Sequence, residues 1–238
     1  MSICIIGDSH LSALKGGWDR LIEEYPGTTF TFFSAPNNQI NGLRLANDRL
    51  VPGTDKLREH LMRTGGAPEI APTYDVYIVY GLQLQIRHAL RMFRRVRTAA
   101  LKKPRKRKRA IRRSAKVARK TCAIKTLAKL RQCTRAPILL IATPYKPDDP
   151  AKPDRLFRKG KGEILKEIFD EMCNELSAKA KAIFVPQPEE TIAPSRATTL
   201  AHLRSAREGD STHMNADYGF IVVRHILEIA EAVSPAAS

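Results

Sequence analysis

Apolar residues along the chain follow two patterns, short unbroken runs and longer stretches at helical spacing. Ile3-Cys4-Ile5-Ile6 and the segments 28–34, 74–80, 137–143 and 182–186 have the length and the β-branched or aromatic content of strands. Between them, Leu11, Leu14, Trp18, Leu21 and Ile22 recur at helical spacing until Tyr25-Pro26-Gly27 ends the run. A short helix is predicted at 55–62. Another carries Ile164, Leu165, Ile168, Phe169, Met172, Cys173 and Leu176 on one face. A last helix follows Asn215 as its cap and buries Phe220, Val223, Leu227 and Ala230. Five strands alternating with helices predict a three-layer α/β/α sandwich around a five-stranded parallel sheet. The unbroken apolar character of 137–143 suits a strand covered on both faces.

One region departs from this alternation. From Gln85, Ile86, Leu90, Phe93 and Val96 mark one helix side, Pro104 interrupts, and Ile111, Ala115, Ala118 and Cys122 form a thin stripe on a second helix predicted to continue through Leu127 and Leu130. Charge separates this region from the rest. The chain carries a net charge of +17, yet 22 of its 41 Lys and Arg lie between Asp75 and Asp148, where no Asp or Glu occurs. The remaining 19 bases and 24 acids leave the rest at about −5. The 238 residues are therefore read as one domain, 1–238, with 91–133 as a basic helical insertion between the third and fourth strands.

No apolar run reaches the length needed to span a bilayer, and no positive segment precedes the short apolar run at the N-terminus, so a cytoplasmic location is expected. Cys4, Cys122, Cys133 and Cys173 lack metal-ligand or disulfide spacing and are read as reduced, packing thiols.

The candidate chemistry lies at the two ends. Gly7-Asp8-Ser9 breaks the first strand sharply, which delivers a serine hydroxyl to the carboxyl end of a central strand, where open α/β sheets place their ligands. Asp210-Ser211-Thr212-His213 sets a carboxylate three residues before an imidazole, close enough to fix its tautomer while the other ring nitrogen faces a serine. The plainer alternative is a helix-capping Ser9 and a surface His213. Gly7-Asp8-Ser9 early and Asp210-x-x-His213 before the last helix resemble the SGNH hydrolases, also called GDSL esterases.

That resemblance implies the flavodoxin-like strand order 2-1-3-4-5, ester hydrolysis or acyl transfer by Ser9, His213 and Asp210, and no metal or organic cofactor. It also implies an oxyanion hole. Its donors would be the Ser9 N–H, a glycine after the second strand and an amide side chain after the third. Gly42 is the candidate glycine, with Asn38 and Asn41 as rivals and a plain turn glycine as the alternative. Where the family usually has Gly-x-Asn, this chain has Gly81-Leu82-Gln83. Asp8 is expected to hold the turn rather than react.

Three readings of the basic region stay open. Arg94, Arg95, Arg105, Arg107, Arg109, Arg112 and Arg113 either attract an anionic substrate such as an acidic saccharide or lipid, or grip nucleic acid, or form a solvated or dimerising arm. The first is weighted above the others because the insertion follows the strand that ends at Gly81 and so starts at the same sheet edge as Ser9. A bacterial surface polysaccharide or its precursor would fit. The rival from another class is a catalytically silent protein of the same fold whose basic arm binds a polyanion.

Overall fold

A computed structural model of the chain describes residues 1–36, 38–89, 101, 103–148 and 161–234. In chain order its strands are β1 (Ser2–Gly7), β2 (Thr29–Ser34), β3 (Leu43–Ala46), β4 (Arg49–Pro52), β5 (Val76–Gly81), β6 (Ile138–Ala142) and β7 (Ile183–Val185). Its helices are α1 (Leu11–Leu21), α2 (Asp55–Gly65), α3 (Pro104–Ala118), α4 (Cys122–Cys133), α5 (Lys161–Lys179) and α6 (Ala216–Val233). Five parallel strands form one sheet in the order β2-β1-β5-β6-β7. Counted among sheet strands alone, this is the order 2-1-3-4-5.

β1 lies between β2 and β5, in register from Ser2 opposite Thr29 and from Ile3 opposite Val76. Successive side chains on a strand point to opposite faces, so Ile3 and Ile5 join the core under α1 and α6 while Cys4 and Ile6 join the core under α2, α4 and α5. Ile22 does not belong to the buried stripe. The first helix ends at Leu21, and Ile22 is 50% exposed.

Leu43, Leu45 and the Asn47-Asp48 turn form a separate antiparallel hairpin, β3-β4. Asn47 and Asp48 have φ of 49° and 56°, as a two-residue hairpin turn of the primed kind requires.

The predicted second helix of the basic region is two helices. Between α3 and α4, the Thr121 hydroxyl donates to the Ala118 carbonyl at 2.6 Å and closes the first helix. α3 packs on α5, whereas α4 is the crossover between β5 and β6: Cys122, Ala123, Leu127 and Leu130 are buried in the core, and the Ala123 N–H donates to Leu82 O at 3.0 Å. Of the segment 91–133, then, 122–133 is part of the sandwich itself. Residues 90–100, which hold Arg94 and Arg95 and most of the helix predicted from Gln85, lie outside the described residues.

α1 and α6 meet backbone to backbone. A Cβ on Gly17 would lie 2.1 Å from the Gly219 carbonyl carbon, and one on Gly219 would lie 1.7 Å from Ala13 O. Arg20 and Asp217 form an ion pair at 2.8 Å beside this contact. Ser9 precedes α1 and His213 precedes α6, so the helix contact sets how far apart those two residues stand. Among the described residues, no helix is long and apolar enough to cross a membrane.

Candidate active site

Gly7 ends β1 because any side chain there would strike Leu11, whose Cγ lies 2.7 Å from the Cβ position. Asp8 then holds the turn. Its carboxylate accepts from the His10 N–H at 3.2 Å and from the Leu82 N–H at 3.1 Å, tying the end of β1 to the end of β5. Ser9 stands exposed at the tip. Its hydroxyl does not cap α1, whose N-cap residue is His10 with no side-chain cap at all. It meets His213 Nε2 at 2.8 Å instead.

On the far side of the imidazole, His213 Nδ1 lies 3.1 Å and 3.0 Å from the two carboxylate oxygens of Asp210. The same carboxylate accepts the Thr212 and His213 backbone N–H groups, each at 3.0 Å. Desolvation pushes the Asp210 carboxyl upward, but these N–H donors and the imidazole outweigh it and hold its pKa well below the usual carboxylate range. Asp210 is thus an ionised acceptor that fixes Nδ1 as the protonated nitrogen and leaves Nε2 to accept. The backbone around His213 is anchored as well. Its carbonyl accepts from the Ser205 N–H at 2.9 Å, and Asn215 bonds Leu203 and His202.

The candidate oxyanion donors differ in what they already bind. The Ser9 N–H and both the backbone and side-chain amides of Gln83 make no hydrogen bond among the described residues. Gly81, Leu82 and Gln83 have consecutive positive φ of 72°, 46° and 68°. For Leu82 and Gln83 this conformation costs about 1–2 kcal/mol each. It persists because Leu82 is fully buried, gives its N–H to Asp8 and receives Ala123 on its carbonyl.

Gly42 sits in a 3-10 turn at Gln39–Gly42. Its carbonyl accepts from the Gly53 N–H at 2.9 Å, a Cβ there would meet Leu57 at 3.4 Å, and no hydrogen bond joins it to the Ser9 turn. Asn38 is exposed, and the Asn41 side-chain oxygen is buried without a partner.

The sequence reading missed His10. Its ring lies 4.8 Å from the His213 ring at an interplanar angle of 42°, and its Nδ1 is buried without a hydrogen bond. Burial lowers its pKa below the ordinary 6.5; Asp8 and Asp210 oppose that shift, and His213 adds to it. The signal was present in the sequence. A residue directly after a serine at a strand-to-helix turn shares that turn's environment, and this one is an imidazole.

The basic residues stand apart from this group. Arg105, Arg109, Arg112 and Arg113 are exposed on α3. Arg107 differs from them in that it pairs with Glu167 at 2.7 Å and with Glu171 on α5. The hydrogen bond to Glu171 is the largest cause of its raised pKa.

No protein-family model matches the sequence, and no curated protein matches it. Solved structures to which the chain is similar include two enzymes. One is the periplasmic domain of a lipopolysaccharide acetyltransferase from Salmonella ser. Paratyphi A, at 12% identity, TM-score 0.48, covering 96% of this chain and 82% of that one. The other is an extracellular lipase from Streptomyces rimosus, at 12% identity, TM-score 0.48, covering 97% of this chain and 99% of that one.

Proposed function

We propose that the chain is a serine hydrolase or acyltransferase of the SGNH type acting on acyl esters. The observation that carries this reading is the 2.8 Å contact between Ser9 Oγ and His213 Nε2, with Asp210 on the opposite ring nitrogen. In the reaction, His213 Nε2 takes the hydroxyl proton as Ser9 Oγ attacks the acyl carbon. The Ser9 N–H and the Gln83 amide receive the oxyanion, with Gly42 as a further donor that the loop after β2 must bring inward. Collapse of the tetrahedral adduct returns the proton from His213 to the departing alkoxide. Water or a second alcohol, deprotonated by the same nitrogen, then takes the acyl group from Ser9, and that proton passes from Nε2 to the departing Ser9 Oγ.

The unneutralised cations of α3 support an anionic saccharide or lipid as the acyl carrier. The silent-binder reading draws on the glutamine at position 83, since loss of one oxyanion donor costs on the order of 100-fold or more in rate. A fluorophosphonate probe separates the two. The enzyme reading expects covalent labelling of the intact chain that is lost in both Ser9→Ala and His213→Ala. Absent labelling of a folded wild-type chain would overturn it.

A further inference from the structure

We propose that the outward face of α3 is a docking surface for an anionic lipid membrane. The helix buries Ala110, Ile111, Ser114, Ala115 and Ala118 against the body of the protein. At about 100° per residue, Arg105, Arg109, Arg112 and Lys116 point directly away from that stripe, with Lys108 and Arg113 flanking them. All six are exposed. Over 105–116 they form a straight row roughly 16 Å long. Among the described residues, Arg107 is the one α3 cation in an ion pair, and it lies on the inward side. The segment 76–147 contains no Asp or Glu at all to neutralise the others.

The face offers charge and nothing else, which suits a partner recognised by its charge alone. Reading a mixed base sequence adds amide, hydroxyl or carboxylate side chains to Arg and Lys, and gripping single strands takes aromatic platforms. The six outward positions hold only Lys and Arg, and Ser114 is turned inward and buried. A flat array of lipid headgroups asks only for clustered cations, and four to eight of them suffice. The apolar stripe of α3 is already covered, so docking is electrostatic and superficial rather than by insertion. None of this depends on the chemistry of Ser9.

The full-length protein is to be sedimented with phosphatidylcholine vesicles and with vesicles containing about one third phosphatidylserine. Two charge-matched variants accompany it. One carries Arg105→Gln, Arg109→Gln, Arg112→Gln and Lys116→Gln; the other carries Lys15→Gln, Lys56→Gln, Lys125→Gln and Lys179→Gln, none of them on α3. Thermal melts followed by circular dichroism establish that both are folded. Each headgroup contact is worth about fivefold in affinity, so the first variant is expected to lose anionic-vesicle binding by several hundred-fold. The second should lose far less, and neutral vesicles should bind neither. Equal losses in the two variants, or no vesicle binding by the wild type, would overturn the proposal. So would a random-sequence DNA duplex that displaces the protein from vesicles at matched anion concentration, since the face would then belong to nucleic acid.

Discussion

The helix pairs on the two sides of the sheet are joined by opposite devices. α1 and α6 touch through Gly17 and Gly219 so closely that neither position has room for a methyl group. α3 and α5 meet through a small-residue stripe and through Arg107 reaching Glu167 and Glu171. The first contact fixes the distance on which the proposed proton transfer would depend, because Ser9 and His213 lead directly into those helices. The second only has to hold a charged face outward. Attraction between charges extends over roughly 8 Å even at physiological salt, so an ångström of slack there matters little. Short-range chemistry is thus placed by steric exclusion, and long-range charge by tolerant packing.

The largest expected effect tests the chemistry itself. Asp210→Asn keeps the shape of the side chain but offers Nδ1 an amide in place of a carboxylate, so the wrong tautomer competes. Turnover of an activated ester, and the rate of fluorophosphonate labelling, should fall by about 10³–10⁴. Stability should respond to pH in a defined direction. A carboxyl with a depressed folded pKa stabilises the fold above its ordinary value of 3.8, and that contribution is lost as pH falls toward the folded value. The stability gap between wild type and Asp210→Asn, measured by urea unfolding, should therefore stay level from neutrality to about pH 5 and close below it. A gap that widens with acid would mean that Asp210 is not held ionised.

Much of this was legible in the sequence, for physical reasons that also explain the gaps. Runs such as Ile3 to Ile6 and 137–143 announce buried strands because both faces are covered. Ser9, Asp210 and His213 could be singled out because the turn chemistry of Gly7-Asp8-Ser9 and the Asp-x-x-His spacing are local. The break between α3 and α4 was hidden because apolar spacing continues across it, while the Lys120 and Thr121 N–H groups and the Thr121 hydroxyl turn back onto Val117 and Ala118. Gly16-Gly17 inside a helix is visible but mute without its partner, which lies some 200 residues away at Gly219. Gly42 illustrates the converse: a turn glycine can be located from sequence, but where its N–H points cannot.

Gly219→Ala breaks the α1–α6 side of the comparison. Its new methyl would lie 1.7 Å from a backbone oxygen, so the helices must separate. A cost of about 1–3 kcal/mol is expected from overpacking, read as a drop in urea midpoint. Displacing Ser9 from His213 by an ångström should lower turnover by on the order of 100-fold. Gly27→Ala is the control. No atom lies within 4 Å of its Cβ position, and its effect should stay within about 0.5 kcal/mol.

His10→Phe sharpens the same side more gently, since it keeps a ring against His213 and removes a titrating nitrogen. The folded state lowers the His10 pKa, so the unfolded chain takes up its proton first as pH falls through the ordinary value of 6.5. Wild type should lose stability from there downward, and His10→Phe should lose less over the same window. At pH 8, where the imidazole is neutral in both states, activity should change by no more than severalfold. Denaturation curves taken between neutrality and pH 5 would show the difference; parallel pH profiles would mean that Asp8 and Asp210 keep His10 charged.

Arg107→Gln tests the other side and should do least. The Arg107 side chain is 26% exposed and its partners Glu167 and Glu171 are 47% and 45% exposed, so water screens both ion pairs. Pairs of this kind contribute about 0–1 kcal/mol. The small-residue stripe of α3 remains in place, the outward cations are untouched, and vesicle binding should match wild type. If Arg107→Gln instead destabilised the chain as much as Gly219→Ala, α3 would be held by charge rather than by packing. The basic face would then be coupled to the fold, and removing its charges could no longer be separated from unfolding it.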